Sequence, residues 1–217
     1  MLDSAISGDR VRTRDQNLAA EGGMVGAEDV IKIYQCLLDN GIRVWLTGGW
    51  GIDALLGEQT RPHKDLDVIV LLDDVVRMRA LLARDGYSLK ELWSENLRVA
   101  DAHGVKTATA FVLQDVEGRE LDVHAIRLDE RGDGIPAWEA EGFILRSQDL
   151  AGEGTIAGVA VQCLTAEMQA LCHKGYELPD KQRRDLDLLH ARFGIESDAI
   201  ETMEIRPDGG LASNGPG

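Results

Sequence analysis

The stretch "VWLTGGWGIDALLGEQTRPHKDLDVIV", residues 44–70, constrains the chain more than any other. It reads as strand, glycine turn, helical turns, then a second strand. Asp65 and Asp67 stand one residue apart inside the apolar run of that second strand. The two-residue period of a strand puts both side chains on one face, roughly 6–7 Å apart. Two carboxylates facing the same space repel unless a cation joins them. Oxygen ligands on a rigid strand are what Mg²⁺ accepts, with water and substrate phosphates completing its octahedron. A solvated strand edge is the plain alternative. Upstream, Gly48 and Gly49 follow "RVWLT" and open a helical segment. A strand–glycine turn–helix lets backbone N–H groups approach phosphate oxygens. No GKS or GKT follows, so this is not a Walker loop. Turn and aspartates together describe a site for a metal-bound nucleotide phosphate.

Hydrophobic periodicity places the stretch in a mixed α/β chain. "EDVIKIYQCLLDNG" sets Val30, Tyr34, Leu37 and Leu38 on one helical face. "DDVVRMRALLARDG" is expected to be a helix capped by Asp73 or Asp74 and ended by Gly86. "YSLKELW", "LRVADA", "TATAFVLQD" and "RELDVHAIRL" read as strands, with "VEGR" turning between the last two. "GFILRS" and "AGVAVQCL" add short ones. Thr165 and Asp180 open two C-terminal helices, the second with Leu186, Leu189 and Phe193 on its apolar face. The expected divisions are a flexible leader over 1–27, a core over 28–163, a helical segment over 164–195 and a disordered acidic tail over 196–217.

Charge narrows the function. The chain of 217 residues carries a formal charge of −15, which argues against a broad nucleic-acid face or binding to an anionic membrane. It suits a cationic small molecule as partner. Cys36, Cys163 and Cys172 form no CxxC pair and are odd in number, as in a reduced cytoplasmic protein. No apolar run reaches the roughly 18 residues of a membrane span, and the N-terminus lacks the apolar centre of a signal peptide.

The elements WLxGGWGID, then Arg61, His63, Asp65 and Asp67, resemble the signature of the DNA-polymerase-β-like nucleotidyltransferases. Within them the stretch is most similar to the lincosamide nucleotidyltransferases, with the aminoglycoside 2''-nucleotidyltransferases next. The likeness is dense over 45–69, looser to about 193, and absent in both tails. It implies a nucleotidyltransferase-type mixed β-sheet flanked by helices, and a third carboxylate on a later strand. "LDVHAI" offers Asp122, with Glu120 as runner-up and His124 on the same strand face. Asp65, Asp67 and Asp122 are then the catalytic and metal residues, expected to converge around two Mg²⁺ ions, with Asp122 as base. Gly48, Gly49 and Arg61, and Lys181 and Arg184 on the last helix, are the implied nucleotide-binding residues. An i,i+4 pair of Lys181 with Asp185 is the plain alternative for that helix. His63, Lys64, Lys174 and Tyr176 are further candidates near phosphate or acceptor, and Trp50 and Trp93 could stack on a base or sit in the core.

The resemblance implies transfer of a nucleoside monophosphate, AMP from ATP or another NTP, to a hydroxyl of a small-molecule antibiotic. A toxin-like transferase acting on tRNA or protein, and a non-catalytic nucleotide-binding module, stay open beside it. So does a homodimer.

Overall fold

The computed structural model describes residues 23–92, 99–137, 143–173 and 180–195, with a short strand pair at 204–205 and 211–212. Trp93, Lys174 and Tyr176 lie outside the described residues. The elements run α1 (Ala27–Asp39), β1 (Val44–Thr47), α2 (Gly48–Leu56), β2 (Asp65–Leu71), α3 (Val75–Leu82), β3 (Ser88–Leu92), β4 (Val99–Ala100), β5 (Lys106–Thr107), β6 (Ala110–Gln114), β7 (Glu120–Leu128), β8 (Gly134–Pro136), β9 (Gly152–Ile156), β10 (Val159–Cys163), α4 (Ala166–Cys172) and α5 (Asp180–Phe193).

One mixed sheet organises them, in the order β3-β6-β7-β2-β1-β10-β9, with β8 also on β7. β1 and β2 are antiparallel, while β2 with β7 and β1 with β10 are parallel. The mixed sheet flanked by helices expected from the sequence is therefore what the chain forms.

Strand alternation divides the core in two. Leu66, Val68 and Val70 of β2 join Leu121 and Val123 of β7 against α1 and α3 residues such as Val30, Leu37, Val75 and Met78. On the other face Trp45, Ile69 and Ile126 pack with Leu164, Met168, Leu171 and Leu189 of the α4–α5 region. Asp65 and Asp67 keep the parity of Ile69, so they belong to this second face. Each buried aliphatic side chain contributes roughly 1.5–3 kcal/mol of transfer free energy, which pins the register.

Several details depart from the sequence reading. The fold begins before residue 28. Val25 is 2% exposed and its N–H donates to the His63 carbonyl, while the Gly26 N–H donates to Asp29 Oδ2 ahead of α1. Neither Asp73 nor Asp74 caps α3 through its side chain. Asp73 instead accepts from the Ala102 N–H, and Asp74 pairs with Arg77. "GFILRS" gives only a bridge between Leu145 and Gly134, whereas β8 and β9 are strands the pattern did not announce. Leu38 and Phe193 are exposed rather than on their helices' packed faces. In the tail expected to be disordered, Glu204–Ile205 pairs with Leu211–Ala212.

A repeated device shapes the hairpins. Asp101, Asp115 and Asp129 each begin an Asp-x-x-Gly turn, at intervals of fourteen residues. In each, the aspartate Oδ1 accepts backbone N–H groups two and four residues on. Gly104, Gly118 and Gly132 take φ of 77°, 83° and 83°, where a side chain would be strained.

Candidate active site

β1, β2 and β7 lie side by side, and their register sets the site. Thr47 pairs with Asp67, and Asp67 with Asp122, so the three form one row across the sheet. Asp65 pairs with Glu120 one step along the same face. At the end of β1 the chain turns through Gly48, with φ of 59°, straight into α2. A Cβ at Gly48 would sit 2.1 Å from Asp67 Oδ2, so only glycine lets the turn lie against that carboxylate. A Cβ at Gly49 would sit 2.3 Å from His63 Nδ1 and 3.0 Å from Arg61 Nη2. The two glycines are thus demanded first by packing against the chain's own polar groups.

A cleft of about 450 Å³ opens here. Gly48, Gly49, Asp65, Asp67, Arg61 and Lys181 line it, with His124 and His173. Ile69, Phe143, Leu145 and Leu164 are its apolar lining. Arg184 is exposed and is not among the lining residues.

The electrostatics are those of crowded acids. Asp67 is raised well above the ordinary carboxylate range, by burial first and then by Asp65 and Asp122, with Arg61 and Lys181 pulling the other way. Asp122 is also raised by burial, with His124 lowering it in part and Asp65 adding to the rise. Asp122 Oδ1 is buried without a hydrogen-bond partner. A buried acceptor left unmatched costs roughly 1–3 kcal/mol. His124 is pushed down by burial, opposed by Asp122, whose Oδ1 lies 3.7 Å from its Nδ1. Glu120 is already engaged, accepting from Lys90 Nζ at 2.5 Å. Among the described residues no three His, Cys, Asp or Glu side chains close into a metal cage. Hard carboxylate oxygens, mutually repelling and partly unmatched, still suit a hard dication that keeps water and phosphate among its ligands.

Groups around the cleft support this surface, and Asp53, Thr60 and Gln169 among them carried no signal in the sequence. His63 does not reach into the cleft: it is 2% exposed, its Nε2 lies 2.5 Å from Asp53 Oδ2, and its ring tilts against Trp50 at 4.8 Å. Asp53 Oδ1 accepts from the Thr60 hydroxyl and N–H. Trp50 is core, 1% exposed, rather than a stacking platform. Gln169, fully buried on α4, accepts from the Thr47 hydroxyl and donates to the Leu46 carbonyl. Asp185 does not pair with Lys181 but grips Arg61, accepting from Nε at 3.1 and 2.8 Å and from Nη2 at 2.6 Å. Such long-range partners have no local sequence signal beyond a polar residue on an otherwise apolar helix face.

The mixed sheet thus carries acidic residues on adjacent strands, beside a glycine turn and two cationic side chains. A family profile described as aminoglycoside-2''-adenylyltransferase matches residues 29–189, and the chain belongs to that family. It is 27% identical over 145 residues to a lincosamide resistance protein of Staphylococcus haemolyticus, spanning 67% of this chain and 82% of the relative. Its fold is similar to that of the lincomycin-bound lincosamide antibiotic adenylyltransferase LnuA, with a TM-score of 0.65 and 25% identity over 78% of this chain and 99% of that one. ANT(2'')-Ia in complex with adenylyl-2''-tobramycin gives 0.62 and 21% identity over 81% and 92%, a likeness of fold. No described helix is long and apolar enough to cross a membrane.

Proposed function

We propose that the protein transfers AMP from Mg²⁺-ATP to a hydroxyl of a small-molecule antibiotic of the lincosamide or aminoglycoside class, inactivating it. The observation that carries this reading is the row Thr47–Asp67–Asp122 beside the Gly48 turn, on a face crowded with like charge. Asp65, Asp67 and Asp122 would hold Mg²⁺, which supplies charge neutralisation at the triphosphate and lowers the pKa of the attacking hydroxyl. Asp122, whose basicity burial raises, accepts the hydroxyl proton. The hydroxyl oxygen then bonds to the α-phosphorus, and the bond to the β-phosphate oxygen breaks to release pyrophosphate. Arg61 and Lys181 offset the negative charge of the β- and γ-phosphates, and the Gly48–Gly49 backbone approaches them at the N-terminus of α2. The apolar wall of Ile69, Phe143, Leu145 and Leu164 receives the carbon skeleton of the acceptor.

Incubation with each NTP labelled at the α-phosphate, with Mg²⁺ and a panel of lincosamides and aminoglycosides, tests the reading. Label should pass from ATP to one antibiotic class. Label on RNA or protein instead, or on nothing, overturns it.

A further inference from the structure

Arg61 and Asp185 are 124 residues apart in sequence, yet they form a side-chain bridge of 2.6 Å at the cleft wall. The Asp185 side chain is 3% exposed and that of Arg61 is 21% exposed. Three contacts define a two-pronged grip on the Nε–Nη2 edge of the guanidinium. Nη1 donates to the Pro62 carbonyl at 3.2 Å. Arginine has five N–H donors, so among the described residues two remain uncommitted on a group that lines the cleft. Nη2 also lies against Gly49, where an added Cβ would meet it at 3.0 Å.

We infer that Asp185 is a positioning residue for nucleotide binding: it holds the Arg61 guanidinium in the plane that presents its free N–H groups to the phosphates beside the Gly48–Gly49 turn. The assignment rests on the nucleotidyltransfer reading. A freely rotating arginine loses side-chain freedom on binding phosphate, and one already fixed by a buried carboxylate has lost it in folding. The planar fork makes the geometry transferable, because one edge fixed by Asp185 sets the direction of the other. The same contact anchors the first turns of α5, which carry Lys181 to the cleft. Asp185 is thereby distinct from Asp67 and Asp122: it touches neither metal nor substrate and acts through Arg61.

The test is titration of a non-hydrolysable ATP analogue with Mg²⁺, run beside steady-state kinetics and thermal melting. Asp185→Asn keeps the shape and removes the charge. Its affinity for the analogue should fall about tenfold and the KM for ATP should rise in step, with the KM for acceptor unchanged. Arg61→Lys keeps an ion pair and hence the α5 anchor, but has no fork. It should melt close to wild type and lose the same affinity. Asp185→Glu should recover part of the loss. An Asp185→Asn protein that melts earlier but binds nucleotide as wild type overturns the assignment, as does tighter binding, which would make Asp185 a competitor for Arg61. Wild-type affinity in Arg61→Lys overturns it too. A wild-type protein that bound no nucleotide would instead bring down the ATP-dependent reading on which the assignment stands.

Discussion

Two sets of three aspartates sit in this chain and do opposite things. Asp101, Asp115 and Asp129 open hairpin turns, and each carboxylate oxygen Oδ1 is matched by two backbone N–H groups. Asp65 and Asp67 line the cleft, Asp122 pairs with Asp67 on the next strand, and Asp122 Oδ1 has no hydrogen-bond partner among the described residues. Burial alone does not separate them, since Asp115 is 7% exposed. Satisfaction does. Burial pushes Asp115 up, but hydrogen bonds from the Arg119 side chain and from the Arg119 and Glu117 N–H groups outweigh it and hold its pKa below the ordinary range. In Asp67 burial and two neighbouring carboxylates act together, and the pKa is raised. A polar group that the fold satisfies stabilises the fold. One that it leaves strained is held for something that arrives later.

The sharpest break of that comparison is removal of charge in the cleft. Asp67→Asn is nearly isosteric and relieves like-charge repulsion. Turnover should fall roughly 10³-fold, the scale of metal-borne charge stabilisation, while the melting temperature of the metal-free protein holds or rises. A variant with near wild-type turnover would remove Asp67 from the site. Gly48→Ala should reproduce much of this loss without touching a carboxylate. Its Cβ would fall 2.1 Å from Asp67 Oδ2, and a displacement on the order of 1 Å costs about 10²-fold.

Within β7 the same reasoning separates two acids on one strand face. Asp122→Ala should lose roughly 10²–10⁴ in single-turnover rate while binding Mg²⁺-ATP within a few-fold of wild type. Glu120→Ala should change the rate little, because Lys90 and Gln114 already engage that carboxylate. A larger rate loss in Glu120→Ala would exchange their roles.

The hairpin aspartates predict the reverse pattern. Asp115→Ala strands two backbone N–H groups and the Nε of Arg119, at a cost of roughly 2–3 kcal/mol, with turnover per folded molecule unchanged. Its pH dependence has a definite sign. The folded pKa lies below the unfolded one, so the stabilisation is complete above the ordinary carboxylate range and is lost as pH falls through the folded pKa. The gap in melting temperature between wild type and Asp115→Ala should therefore be widest near neutrality and narrow in acid. A gap that widened in acid would contradict the assignment.

Most of the architecture was legible because strand parity and helix period are local. The strand over Asp65–Leu71, the strand over Glu120–Leu128 and the cap at Thr165 each follow from a few consecutive residues, and the Thr165 hydroxyl does accept from the Met168 N–H. Gly48, Asp65 and Asp67 announced themselves through an unusual pairing of residue types. What stayed hidden is held by partners far apart. Gln169 reaches Thr47 across 122 residues, and Asp185 reaches Arg61 across 124. Asp185 sits among exposed charges on α5, and only tertiary packing makes it a buried anion. His63 read as a cleft residue because it precedes β2, but its bond to Asp53 turns it inward. The Asp-x-x-Gly repeat was in plain view at fixed spacing, and it becomes a structural statement only when each aspartate is seen to accept two N–H groups.

The smallest expected effect closes the comparison at its glycines. Gly104 has φ of 77°, close to the 59° of Gly48, so both positions disfavour a side chain by conformation alone. They differ in what a side chain would meet. Among the described residues, its chain neighbours apart, no heavy atom lies within 4 Å of a Cβ at Gly104. Gly104→Ala should then cost only the left-handed penalty of about 1 kcal/mol, which corresponds to a melting shift of about 2–4 °C in a chain of this size. Turnover should not change, because the Asp101 turn carries no group of the cleft. Gly48→Ala carries the same conformational cost and adds a collision with the carboxylate that the proposed chemistry uses. Melting curves and turnover for the two alanine variants thus separate backbone strain from site geometry. Equal losses of turnover would mean that conformation alone sets the glycine requirement at Gly48. A loss confined to Gly48→Ala ties that glycine to the position of Asp67.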